Sequence, residues 1–227
     1  MKFTDELRMD TKVSWEKSLQ HPFVQGIVKG DLPLETFKNY ILQDIYYLNH
    51  YAKIHALAAA QAEDFSITAL LAETARNTAQ AELTVHEQHA KILNISQEEV
   101  ENFKPAPTAY AYTSHLYRST MQGNLAYVIA AMLPCYWLYA DIGKQFGDAN
   151  PEQEIYRNWL STYASDWFQE ATATQIDLLN SLVVDMNEKE KEKVKEQFVI
   201  AKEYELAFWE MSYTFETWLS EKEEVIL

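Results

Sequence analysis

Apolar residues recur every three or four positions along almost the whole chain, and little interrupts them: its 227 residues include only 5 Gly and 6 Pro. No stretch alternates convincingly with period two, and the nearest thing to a strand, Val183-Val184, is too short. A chain with helical period and few breakers buries its apolar stripes by packing helix on helix, so the expected class is all-α. Hydrophobic residues make up 48% of the sequence, enough for a sizeable core. The length suits one large domain, residues 1–227, better than two small ones.

The breakers divide the pattern. Thr4, followed by Asp5 and Glu6, reads as a cap and acidic first turn of a helix that stops near His21-Pro22. Pro22 opens a short helix that Gly30 ends, and Leu32-Pro33 starts one reaching about Glu63. Ser66 reads as the cap of a helix to about Leu93, and Ser96-Gln-Glu-Glu as a capping box. Pro105-Ala-Pro107 forces an extended connector. Helices are expected at roughly 108–121, 124–146, 151–164 and 165–185, with a last one from about Asn187 to Ser220. The charged run 188–193 reads as the solvated start of that last helix.

Charge narrows the partners. The formal net charge is −15. Such a surface repels phosphate backbones and anionic lipid, which argues against nucleic-acid and membrane partners. The first ten residues carry charge where a signal peptide needs an apolar stretch. The longest apolar tract, around 125–142, is interrupted by Pro134, tyrosines and Asp141 and reads as too polar for a membrane span. A single cysteine and no leader point to a reducing, cytoplasmic setting.

Three potentially reactive groups fall on faces that should point inward. On the last helix, Val194, Phe198, Ala201, Glu205, Phe208, Ser212 and Phe215 form one stripe with a carboxylate at its centre. Such a group must find a partner, take up a proton or face a polar cavity, because a buried unpaired charge costs several kcal/mol. The helix from Pro33 repeats the pattern with Phe37, Ile41, Asp44, Leu48, Tyr51 and His55, and Tyr47 lies beside Asp44. The lone cysteine, Cys135, sits on a third stripe with Val128, Ala131, Leu138 and Ile142, and Tyr139 is one turn on. It is either a small buried hydrophobe or a nucleophile. Bundle sites are built from such inward side chains on facing helices.

A thiol, a desolvated acid and a second carboxylate suit covalent catalysis. A base removes the thiol proton, and a carboxyl group kept protonated donates to a substrate nitrogen. With 14 Tyr in the chain, the walls suit a small, flat heteroaromatic ring.

The same residues carry a resemblance. His-Pro-Phe (21–23), Tyr-Ile-Leu-Gln-Asp-Ile-Tyr-Tyr-Leu (40–48), the Glu82–His86 helix, Leu-Pro-Cys-Tyr-Trp-Leu-Tyr-Ala-Asp-Ile-Gly (133–143), Trp-Leu-Ser-Thr-Tyr (159–163) and Tyr-Glu-Leu-Ala-Phe-Trp-Glu-Met-Ser-Tyr (204–213) occur in that order over nearly the whole chain. In this the chain resembles the TenA, or thiaminase II, family of aminopyrimidine hydrolases. The resemblance implies a helical fold of the heme oxygenase type, a homotetramer, and no metal or organic cofactor. Cys135 matches the family's nucleophile and places the chain in the cysteine-containing branch. Glu205 matches the acid that protonates a ring nitrogen. Asp44 matches the carboxylate that binds the exocyclic amine and helps orient or deprotonate the thiol. Tyr47, Tyr112, Tyr139, Tyr163 and Phe208 match positions lining the pyrimidine pocket. The implied reactions are release of ammonia from 4-amino-5-aminomethyl-2-methylpyrimidine, giving the hydroxymethyl pyrimidine of thiamin salvage, and cleavage of thiamin into its pyrimidine and thiazole halves.

Three other readings compete. A heme-binding oxygenase of the same fold would use the Gly143-Lys-Gln-Phe-Gly147 spacing to admit a macrocycle and His21 as axial ligand. A carboxylate-bridged metal site needs Glu-x-x-His on two helices, and the chain has none; His86-Glu87-Gln88-His89 lacks the required spacing, and Glu82 with His86 reads as a pair across one helix turn. A non-catalytic pyrimidine-binding or regulatory protein would have no need of a thiol in its pocket.

Overall fold

The computed structural model describes the backbone of residues 1–221 and the side chains of all of these except 81–90. The Glu82–His86 pair and the His86–His89 cluster therefore lie outside the described side chains. Among the described residues every regular element is a helix. In chain order they are α1 (Phe3–Asp10), α2 (Lys12–Leu19), α3 (Pro22–Lys29), α4 (Leu34–Gln61), α5 (Phe65–Leu93), α6 (Gln97–Glu101), α7 (Pro107–Thr120), α8 (Leu125–Phe146), α9 (Glu154–Ala164), α10 (Asp166–Leu182) and α11 (Glu188–Thr214).

α8 is the axis of the bundle. α4, α7, α9, α10 and α11 all pack against it, and α5 lies along α4. It is apolar almost all round, as an interior helix must be. By length and composition it could cross a membrane, but 72% of its most apolar window is buried inside this fold. Its apolar length is thus used up by the core. The stripes read from the sequence point inward: Phe37, Tyr51 and His55 on α4, Val128, Leu138 and Ile142 on α8, and Val194, Phe198 and Phe208 on α11 are buried.

Several helix ends differ from expectation. The first helix is two, meeting at Thr11, whose backbone (φ −97°, ψ 9°) departs from helical geometry. Thr4 is not its cap. It is buried inside α1 and exchanges hydrogen bonds with Asn180 on α10. α5 is capped by Asp64, which accepts from the Ser66 and Ile67 amides at 2.8 and 3.1 Å. α9 begins later, at Glu154, and α10 ends earlier, at Leu182.

α11 stops at Thr214 rather than near Ser220. Phe215 turns left-handed (φ 55°) and is 47% exposed, so it leaves the core stripe. Beyond it the chain is drawn aside by hydrogen bonds to the segment before α7. Glu216 accepts from the Thr108 amide at 3.0 Å, and the Trp218 indole donates to the Pro105 carbonyl at 2.9 Å.

Candidate active site

α4, α8 and α11 bring Asp44, Cys135 and Glu205 around one small pocket, completed by Tyr47, Tyr112, Tyr139 and Phe208. Its volume is about 10 Å³, room for a single water molecule. Asp44, Cys135 and Tyr139 also border a second, partly open cavity of about 370 Å³. Tyr163, near the end of α9, lines only this larger cavity. Cys135 therefore sits on the wall between a tight inner pocket and a roomy outer one.

Glu205 is 2% exposed. The Tyr112 hydroxyl donates to its Oε1 across 2.6 Å. Burial disfavours the carboxylate and pushes its pKa up to about 7; the Tyr112 hydrogen bond and the Lys202 charge act in the opposite direction. Glu205 is thus partly protonated near neutrality and can give a proton to a base that enters the pocket. Tyr112 is held between aromatic rings, with centroids 4.9 Å from Tyr47 and 5.2 Å from Tyr204.

Cys135 is half-buried. Burial, then the charges of Glu205 and Asp44, push its thiol well above its ordinary pKa, while the Tyr47 and Tyr51 hydroxyls beside it work the other way. The resting group is therefore a thiol, and its thiolate forms only when something offsets the cost. The Tyr47 hydroxyl is buried without a partner of full hydrogen-bond geometry. Tyr139 bonds through its hydroxyl to Tyr40 (3.2 Å), which also accepts from the Trp159 indole (3.3 Å). The Tyr139 ring meets Tyr163 edge-on at 4.6 Å.

The TENA/THI-4/PQQC family model matches residues 9–215 of this sequence. The chain belongs to that family. It is 46% identical to the aminopyrimidine aminohydrolase of Bacillus subtilis (strain 168) over 218 residues, 96% of this chain and 92% of that protein. It is 33% identical to the aminopyrimidine aminohydrolase of Helicobacter pylori, over 94% of this chain and 99% of that protein. A TenA homologue from P. horikoshii OT3 superposes with a TM-score of 0.87 at 30% identity, covering 94% and 99% of the two chains. A domain with a heme oxygenase-like fold from Shewanella denitrificans os217 superposes at 0.74 with 16% identity over 93% and 92%, a likeness of fold alone. The heme oxygenase-like bundle is thus the architecture of this TENA/THI-4/PQQC chain.

The residues of the heme reading have other work in this family member. Gly143 and Gly147 let α8 lie against the end of α9: a Cβ at Gly143 would overlap the Tyr163 carbonyl, and one at Gly147 would come within 2.6 Å of the Ala164 side chain. His21 caps α3, accepting from the Phe23 amide at 3.1 Å, and its Nε2 meets Glu210 at 3.0 Å. Among the described residues no three His, Cys, Asp or Glu side chains gather closely enough to hold a metal ion.

Sequence reasoning placed Tyr51 on the inward stripe of α4 but gave it no role at the site, and it did not single out Lys202. Tyr51 anchors α4 to α8 by donating to the Met132 carbonyl at 2.9 Å, and its ring borders the larger cavity. Its place one turn beyond Tyr47 was the available signal. Lys202 is fully buried and donates to Ser18 Oγ (2.7 Å) and the Ser14 carbonyl (3.2 Å). It lies three residues before Glu205 on the same helix face, a spacing that marks a neighbour.

Proposed function

We propose that this chain is an aminopyrimidine aminohydrolase. It hydrolyses 4-amino-5-aminomethyl-2-methylpyrimidine to the hydroxymethyl pyrimidine and ammonia, a thiamin-salvage reaction, and cleaves thiamin to its two halves by the same route. The observation that carries this reading is the meeting of one thiol and two carboxylic acids, from three helices, around a single aromatic-walled pocket. The named activity of relatives such as the Bacillus subtilis protein supports it.

Each group has a step. Glu205, half-protonated near neutrality, gives its proton to a ring nitrogen, and Asp44 accepts from the exocyclic amine and relieves the thiol of its proton. Cys135 Sγ then adds to a ring carbon. A thiolate is costly in the resting site but pairs with the positive charge of the protonated ring, so attack and ring protonation assist each other. The electron pair released into the ring expels the group on the methylene carbon; the amine, an ammonium at neutral pH, leaves as ammonia. Water adds there and gives up a proton to solvent. Glu205 takes back the proton of the ring nitrogen, and the sulfur departs and regains its proton from Asp44, which restores the aromatic ring and the free cysteine.

The test is Cys135→Ser. This variant should release no ammonia from the aminomethyl pyrimidine yet bind the hydroxymethyl product as the parent does, measured by calorimetry. Retained turnover would refute the nucleophile, and would leave a pocket whose thiol has no chemical task.

The homotetramer and the cytoplasmic setting belong to the same proposal. Support for subunit contact comes from exposed Tyr213, Phe215 and Trp218 near the end of α11, with Tyr110 beside Trp218. The lone cysteine supports a reducing compartment. Light scattering of the purified protein reads the oligomer directly.

A further inference from the structure

Lys202 is fully buried, and both of its hydrogen bonds go to neutral oxygens. The side chain is drawn from α11 to α2, where the ammonium donates to Ser18 Oγ at 2.7 Å and to the Ser14 carbonyl at 3.2 Å. Its nitrogen also stands 5.5 Å from the centre of the Trp15 ring. A methionine would fill the same space without a charge. An ammonium taken out of water costs several kcal/mol unless an anion shares the site, and lysine is almost never fully buried unless paired.

The carboxylates whose charge reaches this ammonium are Glu205 and Glu203, both on α11. Glu203 is exposed, so water and salt screen it. Glu205 is buried and lies three residues on, over the same helix face. Arg8 of α1 acts against the ammonium, but its guanidinium donates to Asp141 of α8, which also accepts from the Trp15 indole at 3.0 Å. His21, ahead of α3, is taken up by Glu210. Glu205 itself faces Tyr112 of α7, Cys135 of α8, and Asp44 and Tyr47 of α4. Each of these is an acid, and Lys202 is the base beside them. Lys202 lines neither cavity, so it does not touch a bound substrate.

We propose that Lys202 is a positioning residue for the reaction, a fixed internal cation that stabilises the Glu205 carboxylate left behind when the proton passes to the ring nitrogen. The inference rests on the reaction proposed above. One proton moves in that step, from the Glu205 carboxyl to the ring, leaving one negative and one positive charge; the ammonium keeps all of its own protons. Burial pushes the Glu205 pKa up to about 7, against the Tyr112 hydrogen bond and the Lys202 charge. Without the ammonium Glu205 would hold its proton more tightly and release it less readily to a weak base. The two α2 oxygens matter because a lysine stem is flexible and turns its head to water wherever it can. By holding the ammonium inside, α2 supports a site to which it contributes no wall.

The experiment compares the parent with Lys202→Met, which keeps the stem and removes the charge, and with Ser18→Ala, which keeps the charge and removes one of its hydrogen bonds. In Lys202→Met the basic limb of kcat/KM for the aminomethyl pyrimidine should move up by about one pH unit, and kcat should fall about tenfold with KM within about twofold. Ser18→Ala should move the limb the same way by less, since an ammonium with one bond fewer gives up its proton sooner. If Lys202→Met does not fold, Ser18→Ala carries the test. A lysine that merely pins α11 to α2 would lower the Tm of both variants and leave the pH profile where it was, and that result would overturn the proposal. An infrared titration of the carboxyl band that Glu205→Gln removes reads the same hold without turnover. The protonated band should persist to higher pH in Lys202→Met, and an unchanged titration would also overturn the proposal. A parent protein that released no ammonia would instead overturn the aminohydrolase reading, while the infrared titration would still decide whether Lys202 acts on Glu205.

Discussion

Tyr112 on α7 and Glu205 on α11 are joined by a 2.6 Å hydrogen bond between two buried side chains, with the phenol as donor. The bond favours the carboxylate and so holds the Glu205 pKa below where burial alone would put it. Tyr112→Phe should let it rise. A hydrogen bond to a charged group contributes about 1.5–3 kcal/mol, so the basic limb of the kcat/KM profile should move up by about one to two pH units. The rate at the optimum should fall about tenfold as Glu205 loses its orientation. A pH–rate profile of the variant with its limb unmoved would show that Glu205 protonation does not govern turnover.

The trio on α4, α8 and α11 could be found from spacing because a carboxylate or thiol on an apolar stripe is conspicuous, and helical period alone rotates it inward. Tyr112 and Tyr163 were named only by the resemblance. On α7 the polar residues among the buried ones, Thr113, His115 and Ser119, blur the face; on α9 the buried stripe Ile155, Tyr156, Trp159 and Leu160 runs on to Tyr163 and was there to be read. The outer cavity was invisible for a different reason. Glu73, Thr74, Asn77 and Thr78 have the composition of a solvent-facing stripe, and only the gap between α5 and α10 makes them a wall. Gly147 ends α8 as its sequence suggests, but nothing local says that the end of α9 will lie against the Gly143–Gly147 pair. Thr11 shows a limit of periodicity, because a single residue of non-helical backbone divides a stripe that otherwise reads as continuous.

Glu205 should also make stability depend on pH. Its folded pKa of about 7 lies above the ordinary 4.5, so between these values the folded protein binds more protons than the unfolded chain. Its contribution is fully present below about pH 4.5 and is lost as pH rises through 7. Glu205→Gln removes that dependence. Relative to the parent, the variant should gain on the order of 2–3 kcal/mol between about pH 4.5 and 7.5. This window closes before Lys202, lowered by burial to about 8, titrates fully. Urea unfolding of both proteins across this range measures the difference, and parallel curves would mean that Glu205 is not desolvated.

His55 has the opposite sign. It is fully buried on α4, with Nε2 bonded to the Tyr136 hydroxyl at 3.0 Å and Nδ1 unpaired. Burial lowers its pKa from 6.5 to about 3, so the unfolded chain takes up a proton that the fold refuses. Its stabilising effect is present above pH 6.5 and drains away as pH falls toward 3. The full amount is on the order of 5 kcal/mol. His55→Gln, which can still meet Tyr136, should unfold less steeply with acid than the parent. Circular dichroism at fixed denaturant from pH 7 to about 4 follows this, and an equal acid slope in both proteins would remove His55 as its source.

Tyr47 is where stability and activity should part. Its hydroxyl is buried beside the Cys135 thiol without a partner of full geometry, a cost of about 1–3 kcal/mol in the empty protein. Tyr47→Phe keeps the ring, its 4.9 Å contact with Tyr112 and its 5.7 Å contact with Phe208. The variant should therefore be as stable as the parent or more so by about 1 kcal/mol, a rise of roughly 2–4 °C in Tm. The same hydroxyl eases thiolate formation at Cys135, so its loss should slow ammonia release about tenfold and shift thiol alkylation to higher pH. Calorimetry and iodoacetamide kinetics on one preparation read both effects. A less stable variant with undiminished turnover would mean that the hydroxyl is a structural group with no hold on the sulfur.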